Sequence, residues 1–101
     1  MTHLRVWKFR PAPSREAEFR AAYGGDGPWV ELFARSPGFK GLDLLHPSQP
    51  GGWWMTLDRW ESEAHFEEFQ QSHGDQYAVL DRQLEGVAGD EEFVGSFEEL
   101  D

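Results

Sequence analysis

Cysteine is absent from this 101-residue sequence. Disulfides, thiolate nucleophiles and thiolate metal sites are thereby excluded. Long apolar runs are absent too, and no stretch approaches the roughly 20 residues that span a bilayer. Residues 1–10 alternate polar and apolar side chains and do not resemble a secretory leader. A cytoplasmic location without a membrane partner is therefore expected. Positive charge is scarce: nine Lys and Arg stand against nineteen Asp and Glu, for a formal net charge of −10. Such a chain repels phosphate backbones, which argues against a nucleic-acid partner. The histidines His3, His46, His65 and His73 show no His-x-His or His-x-x-x-His spacing. His65 and His73 would stand about 12 Å apart along one helix, too far to share an ion. No metal site is expected. Gly24-Gly25-Asp26-Gly27 lacks the Lys-Ser/Thr end and the preceding strand of a phosphate loop.

What the chain does hold is aromatic: hydrophobic residues make up 39% and aromatics 15%, enough for a packed core and for one domain spanning residues 1–101. The charges are unevenly spread. Residues 1–40 carry seven of the nine bases, and residues 41–101 carry fifteen of the nineteen acids. The basic first segments are expected to lie beside the acidic last ones.

Residues 2–10 read as a strand stopped by Pro11 and Pro13. Ser14 is a suitable N-cap for a helix through Tyr23, broken by the glycines at 24–27. Pro28 fits a first helical position, so a short helix is predicted over 28–35, ending at Ser36-Pro37-Gly38. Residues 39–46 and 53–60 read as strands around the Pro- and Gly-rich turn at 47–52. Ser62 caps the next helix, in which Phe66, Phe69, His73, Tyr77, Leu80, Leu84 and Val87 recur at steps of three and four, one apolar stripe. Gly74 is expected to break this helix midway, and Gly86 and Gly89 to close it. A last strand is predicted over 91–98, with Phe93 and Phe97 on one face and Val94 on the other.

The order is β-α-β-β-α-β, an α+β ferredoxin-like arrangement with an antiparallel sheet. Both faces of that sheet read as apolar. Leu4 and Val6 oppose Trp7 and Phe9, and Trp53, Met55 and Leu57 oppose Trp54 and Trp60. Helices cover one face; a second copy of the chain is expected to cover the other, making a homodimer.

The run Leu57-Asp58-Arg59-Trp60-Glu61-Ser62, followed by Glu63-Ala64-His65-Phe66-Glu67-Glu68-Phe69 and then His73, resembles the antibiotic biosynthesis monooxygenase family. The step Ser36-Pro37-Gly38-Phe39 is similar as well, and the element order agrees over nearly the whole chain. The resemblance implies a dimeric α+β barrel formed by two sheets packed face to face. It also implies one of several activities: oxidation of aromatic substrates by O2 without metal or flavin, haem cleavage, or no catalysis. The haem-cleaving branch uses an Asn on the first strand, a Trp on the second long helix and a ligating His further along it. This chain has no Asn, Phe69 stands at the Trp position, and the His would fall near Val79, so haem cleavage by that route is not expected.

Three side chains are candidates for chemistry. His73, as a neutral imidazole, has the ordinary pKa to accept a proton from a phenol, and the resulting anion can reduce O2 without a cofactor. It equally fits a boundary histidine bonded to backbone. Tyr77 suits orienting a substrate oxygen, or core packing with its hydroxyl toward water. Arg59 suits stabilising an oxyanion, or a salt bridge to Asp58, Glu61 or the last strand. Trp7, Trp54 and Phe69 are candidates to line a pocket for a small hydrophobic or aromatic ligand, and Trp29 to lie over its mouth. The alternative for the tryptophans is barrel core and interface. The sequence thus admits a cofactor-independent monooxygenase for a small aromatic or enolisable substrate. It also admits a non-catalytic dimeric domain that binds a ligand or mediates assembly.

Overall fold

Four strands and three helices make up the computed structural model, which describes residues 1–100. β1 (Thr2–Arg10) leads through a 3-10 turn at Pro13–Arg15 to α1 (Glu16–Tyr23) and α2 (Pro28–Phe33). β2 (Phe39–Leu45) and β3 (Trp54–Trp60) follow, then the long helix α3 (Glu63–Gln83) and β4 (Asp90–Glu99). The sheet is antiparallel throughout, in the order β2-β3-β1-β4. With all helices on one face, this is the ferredoxin-like α+β fold that the element order predicts.

Period-two alternation decides which side chains meet the helices. On β3 the pattern is strict: Trp54, Thr56, Asp58 and Trp60 are buried, and the residues between them are half-exposed. On β1, Phe9 joins this inner face, where it meets Phe19 and Tyr23 of α1 at 5.4 and 5.1 Å between ring centroids. Phe33 of α2 and Phe69 of α3 meet edge-on at 5.2 Å, and both pack on Trp60. Phe19 and Trp60 are fully buried. A core of interlocked aromatic rings is how so short a chain hides enough apolar surface, since each ring removes 150–250 Å² or so from water.

Several local expectations are corrected. Ser14 does not cap α1. Pro13 opens a 3-10 turn that takes Ser14 into it, and α1 begins at Glu16 with no side-chain cap. Arg15 instead pairs with Glu18 at 2.9 Å. α2 stops at Phe33, two residues short of the predicted end, and the chain turns through Ser36. α3 does consist of two helical pieces meeting at a kink, as expected, but Gly74 is not the residue that departs from helical geometry. The departure falls one residue earlier, at His73 (φ −127°, ψ 17°), and the helix resumes past it. α3 ends at Gln83, so Val87 is buried from the following loop rather than from the stripe.

The largest correction concerns β4. Phe93 stands opposite Trp7 while Gly95 stands opposite Val6, so Val94 is an extra residue in the ladder. This bulge puts Phe93 on the inner face, against Trp7 at 5.1 Å, and Phe97 on the outer face opposite Leu4. Gly95 supports it with φ 153°, a conformation side chains resist. Gly89 has a different constraint: at φ 65° it lies so close to β1 that a Cβ would collide with the Arg10 carbonyl.

The pairing of β1 with β4 brings the basic and acidic segments together as expected, with Lys8 3.3 Å from Glu92 and Arg10 3.8 Å from Asp90. The outer face of the sheet is uncovered by any helix. Phe97 and Leu45 remain 48% and 47% exposed there. Among the described residues, no helix is long and apolar enough to cross a membrane.

Candidate active site

Between the inner sheet face and α2 and α3 lies a cavity of about 520 Å³. Its walls are aromatic: Trp7 and Phe9 from β1, Trp29 and Phe33 from α2, Phe69 and Tyr77 from α3. Its floor is not. Arg5 and Thr56 line it, together with Asp58. Arg5 and Asp58 face each other across the β1–β3 ladder. A space of this size with apolar walls and few convergent polar groups has the make-up of a small-molecule site.

Asp58 is 5% exposed, and its carboxylate accepts a hydrogen bond from Trp60 Nε1 at 2.7 Å. Burial pushes its pKa up to about 6, against the opposing pull of the Trp60 N–H and then of the Arg5 charge. Arg5 is held in place by two rings, its guanidinium carbon lying 4.0 Å from the Phe66 centroid and 4.5 Å from that of Phe93. A carboxylate poised near neutrality beside a fixed cation can take a proton from a weak acid and steady the anion left behind. Burial also raises Tyr77 and Tyr23 to about 12, so both phenols stay protonated and available as donors. Gln70, Asp81 and Glu91, all exposed, line the cavity as well.

Of the residues singled out from sequence, Trp7, Phe69 and Tyr77 line this cavity together. Three others do not. His73 lies behind Phe69, with the two rings stacked at 5.5 Å, and lines a separate cleft of about 210 Å³ with Arg35 and His65. Its Nδ1 is buried without a hydrogen-bond partner. The irregular backbone at His73 turns that side chain off the line of Phe69 and Tyr77. Arg59 is on the outer face by strand parity and pairs with Asp43 and, at 3.5 Å, with Glu99. Trp54 is core, edge-on to Phe19 at 5.3 Å and to His46 at 4.5 Å. Trp29 is no cover for the mouth. It is 5% exposed and forms part of the wall, 4.9 Å from Tyr77.

Arg5 and Asp58 were not among the sequence candidates, although a signal existed. Asp58 shares its parity with Trp54 and Trp60, and Arg5 with Trp7 and Phe9, so alternation alone puts both on the helix-covered face. Among the described residues, no group of three or more His, Asp or Glu side chains is placed to hold a metal ion.

This fold has counterparts. Residues 2–79 match the family described as antibiotic biosynthesis monooxygenase. No curated protein matches the chain. Among solved structures, SnoaB from Streptomyces nogalater, described as a cofactor-independent oxygenase, is 20% identical with a TM-score of 0.67, over 97% of this chain and 92% of that one. An antibiotic biosynthesis monooxygenase homologue from Bordetella bronchiseptica gives a TM-score of 0.72 at 15% identity, over 98% and 97% of the two chains. MhuD, solved with two manganese protoporphyrin IX molecules per active site, is 22% identical with a TM-score of 0.68, over 98% and 96%. The structural likenesses establish a shared fold. With the family match over most of its length, the chain belongs to the antibiotic biosynthesis monooxygenase family.

Proposed function

We propose that this protein is a cofactor-independent monooxygenase that oxidises a small aromatic or enolisable substrate inside the aromatic cavity. The observation that carries the reading is Asp58: a buried carboxylate with its pKa raised to about 6, on the floor of an otherwise aromatic space. The walls take a flat ring between Trp7, Phe33 and Phe69. Asp58 accepts the proton from an activated CH2 or the tautomeric hydroxyl, and Arg5 steadies the enolate. Tyr77 donates a hydrogen bond that orients a second substrate oxygen. The electron-rich anion reduces O2 by one electron, the radical pair combines to a peroxide anion, and that anion takes a proton back. Loss of water then leaves a carbonyl, so CH2 and O2 give C=O and H2O. In this scheme His73 holds Phe69 in position and does not touch the substrate.

The sheet's outer face supports a homodimer: Leu4, Val6, Met55, Leu57 and Phe97 share it, and a second copy shelters it. The cavity is lined by residues of one chain, in keeping with a site in each subunit.

Oxygen uptake over a panel of quinols and anthrone-like ketones, with 18O2 to follow the new oxygen, tests the reading. Uptake above the protein-free rate, with one labelled oxygen in the product, is expected. Asp58→Asn should lower kcat by about 10²–10⁴, the usual worth of a positioned base. His73→Ala should spare most of it. Saturable ligand binding without oxygen uptake across the panel would replace the oxygenase with a ligand-binding domain.

A further inference from the structure

The cavity meets the surface along one line. Of the residues that line it, four are exposed: Gln70, Gly74 and Asp81 of α3, and Glu91 of β4. The others are buried or half-buried. The three on α3 follow one another at steps of four and seven, whole turns of a helix, so they form a single row along its cavity side. By the rise per residue that row is about 16 Å long. β4 is an edge strand of the sheet and, Gly95 apart, is exposed along its length. The mouth of the cavity is therefore a slot, with the α3 row as one lip and Glu91 of β4 on the other.

In the middle of the α3 row stands a residue with no side chain. Within a helix, glycine is the poorest choice short of proline, so its presence there needs a cause. Backbone geometry is not the cause. Gly74 is absent from the glycines with positive φ, and the kink is carried by His73. Close packing is not the cause either. A Cβ built at Gly74 meets nothing within 4 Å beyond its own stretch of helix backbone. By contrast, a Cβ at Gly38 would run into the His65 ring, and one at Gly27 into the carbonyls of Ala21 and Ala22. At Gly74 a side chain would stand in open space, on the lip of the slot.

We infer that the bare backbone at Gly74 is the portal of the cavity and sets the width of the ligand that enters. A flat aromatic molecule passes edge-first between Gln70 and Asp81 and comes to rest against Trp7, Phe33 and Phe69. This deepens the oxygenase reading, on which it rests only for treating the cavity as the substrate site. The role has its own kinetic signature. A side chain in the wall touches the bound ligand and changes affinity mostly through release. A side chain in the portal raises a barrier that entry and exit share, so it slows both alike and leaves Kd where it was.

Two probes of different width read that signature: 2-naphthol, with two fused rings, and 1-hydroxypyrene, with four. Each is mixed with the full chain by stopped flow, and quenching of tryptophan emission follows occupancy, since Trp7 and Trp29 stand in the walls. In Gly74→Leu, entry and exit of 2-naphthol should both slow by about tenfold, the effect of a leucine that must leave its preferred rotamer to let a ring pass. Its Kd should be unchanged, and 1-hydroxypyrene should be slowed more. Gly74→Ala should slow 1-hydroxypyrene alone and should melt no lower than the native protein, as alanine in an uncrowded helix position does. Gln76→Leu, exposed on the side of α3 that faces the α2 groove, should leave both probes at native rates. Native rates in Gly74→Leu, affinity lost through faster exit alone, or equal slowing in Gln76→Leu would overturn the inference. So would a Gly74→Ala variant that melts below the native protein, or no saturable quenching by either probe. No oxygen is consumed in these measurements. Entry that depends on residue 74, without turnover of any substrate in the panel, keeps the portal and removes the oxygenase; turnover with rates indifferent to residue 74 does the reverse.

Discussion

Replacing Asp58 with Asn should make the protein more stable and less active at once. The carboxylate titrates at about 6 in the fold against an ordinary 3.8. A folded pKa above the unfolded one means that the protonated form is favoured by folding. That contribution is fully present below pH 3.8 and is lost as pH rises through 6. About two pK units correspond to about 3 kcal/mol, the cost of keeping the charged carboxylate buried at pH 8. Asparagine imitates the protonated acid in shape and still accepts the Trp60 Nε1 hydrogen bond, so the variant escapes this cost. Urea unfolding of both proteins at matched concentration should give equal stabilities near pH 4 and a lead for the variant that grows to about 3 kcal/mol by pH 8. A difference independent of pH, or a variant less stable at pH 8, would refute the claim that this carboxylate is buried against its preference.

Other substitutions probe other levels of the structure. Phe19 is fully buried among rings, so Phe19→Ala should cost about 3–5 kcal/mol in urea unfolding, with a smaller loss showing that the core collapses to fill the gap. Phe97→Glu puts a charge on the uncovered sheet face; in light-scattering chromatography the native chain should elute as a dimer and the variant as a monomer. Equal masses would remove the outer face from the assembly. Arg59 pairs with Asp43 and Glu99 at the surface, so Arg59→Ala should shift stability by less than about 1 kcal/mol and leave oxygen uptake intact. Loss of uptake with stability unchanged would return this arginine to the chemistry.

Much of the fold was written in local pattern. Pro11 terminates β1 by lacking a donor, and Trp54 to Trp60 alternate so strictly that their faces are fixed by counting. Ser62 caps α3 as expected, its hydroxyl accepting the His65 backbone N–H at 3.2 Å. What escaped were features owned by two elements together. The extra residue at Val94 exists only in the ladder between β4 and β1, and no property of β4 alone tells Phe93 from Phe97. The stripe on α3 is real, but a local distortion at His73 sends part of it into the cavity and part behind it. Arg5 and Asp58 escaped for the opposite reason. Charged residues in a strand are ordinarily taken as the wet side, yet these two sit on the dry parity, and a site is where such a local rule is broken.

The most direct test of Asp58 as the base is the pH profile of kcat/KM for oxygen uptake with the best substrate of the panel. The native protein should lose activity as pH falls, with an inflection near 6, and the same inflection should be missing from the residual rate of Asp58→Asn. An identical inflection in both proteins, or a native rate flat from pH 5 to 8, would show that the buried carboxylate takes no proton from the substrate.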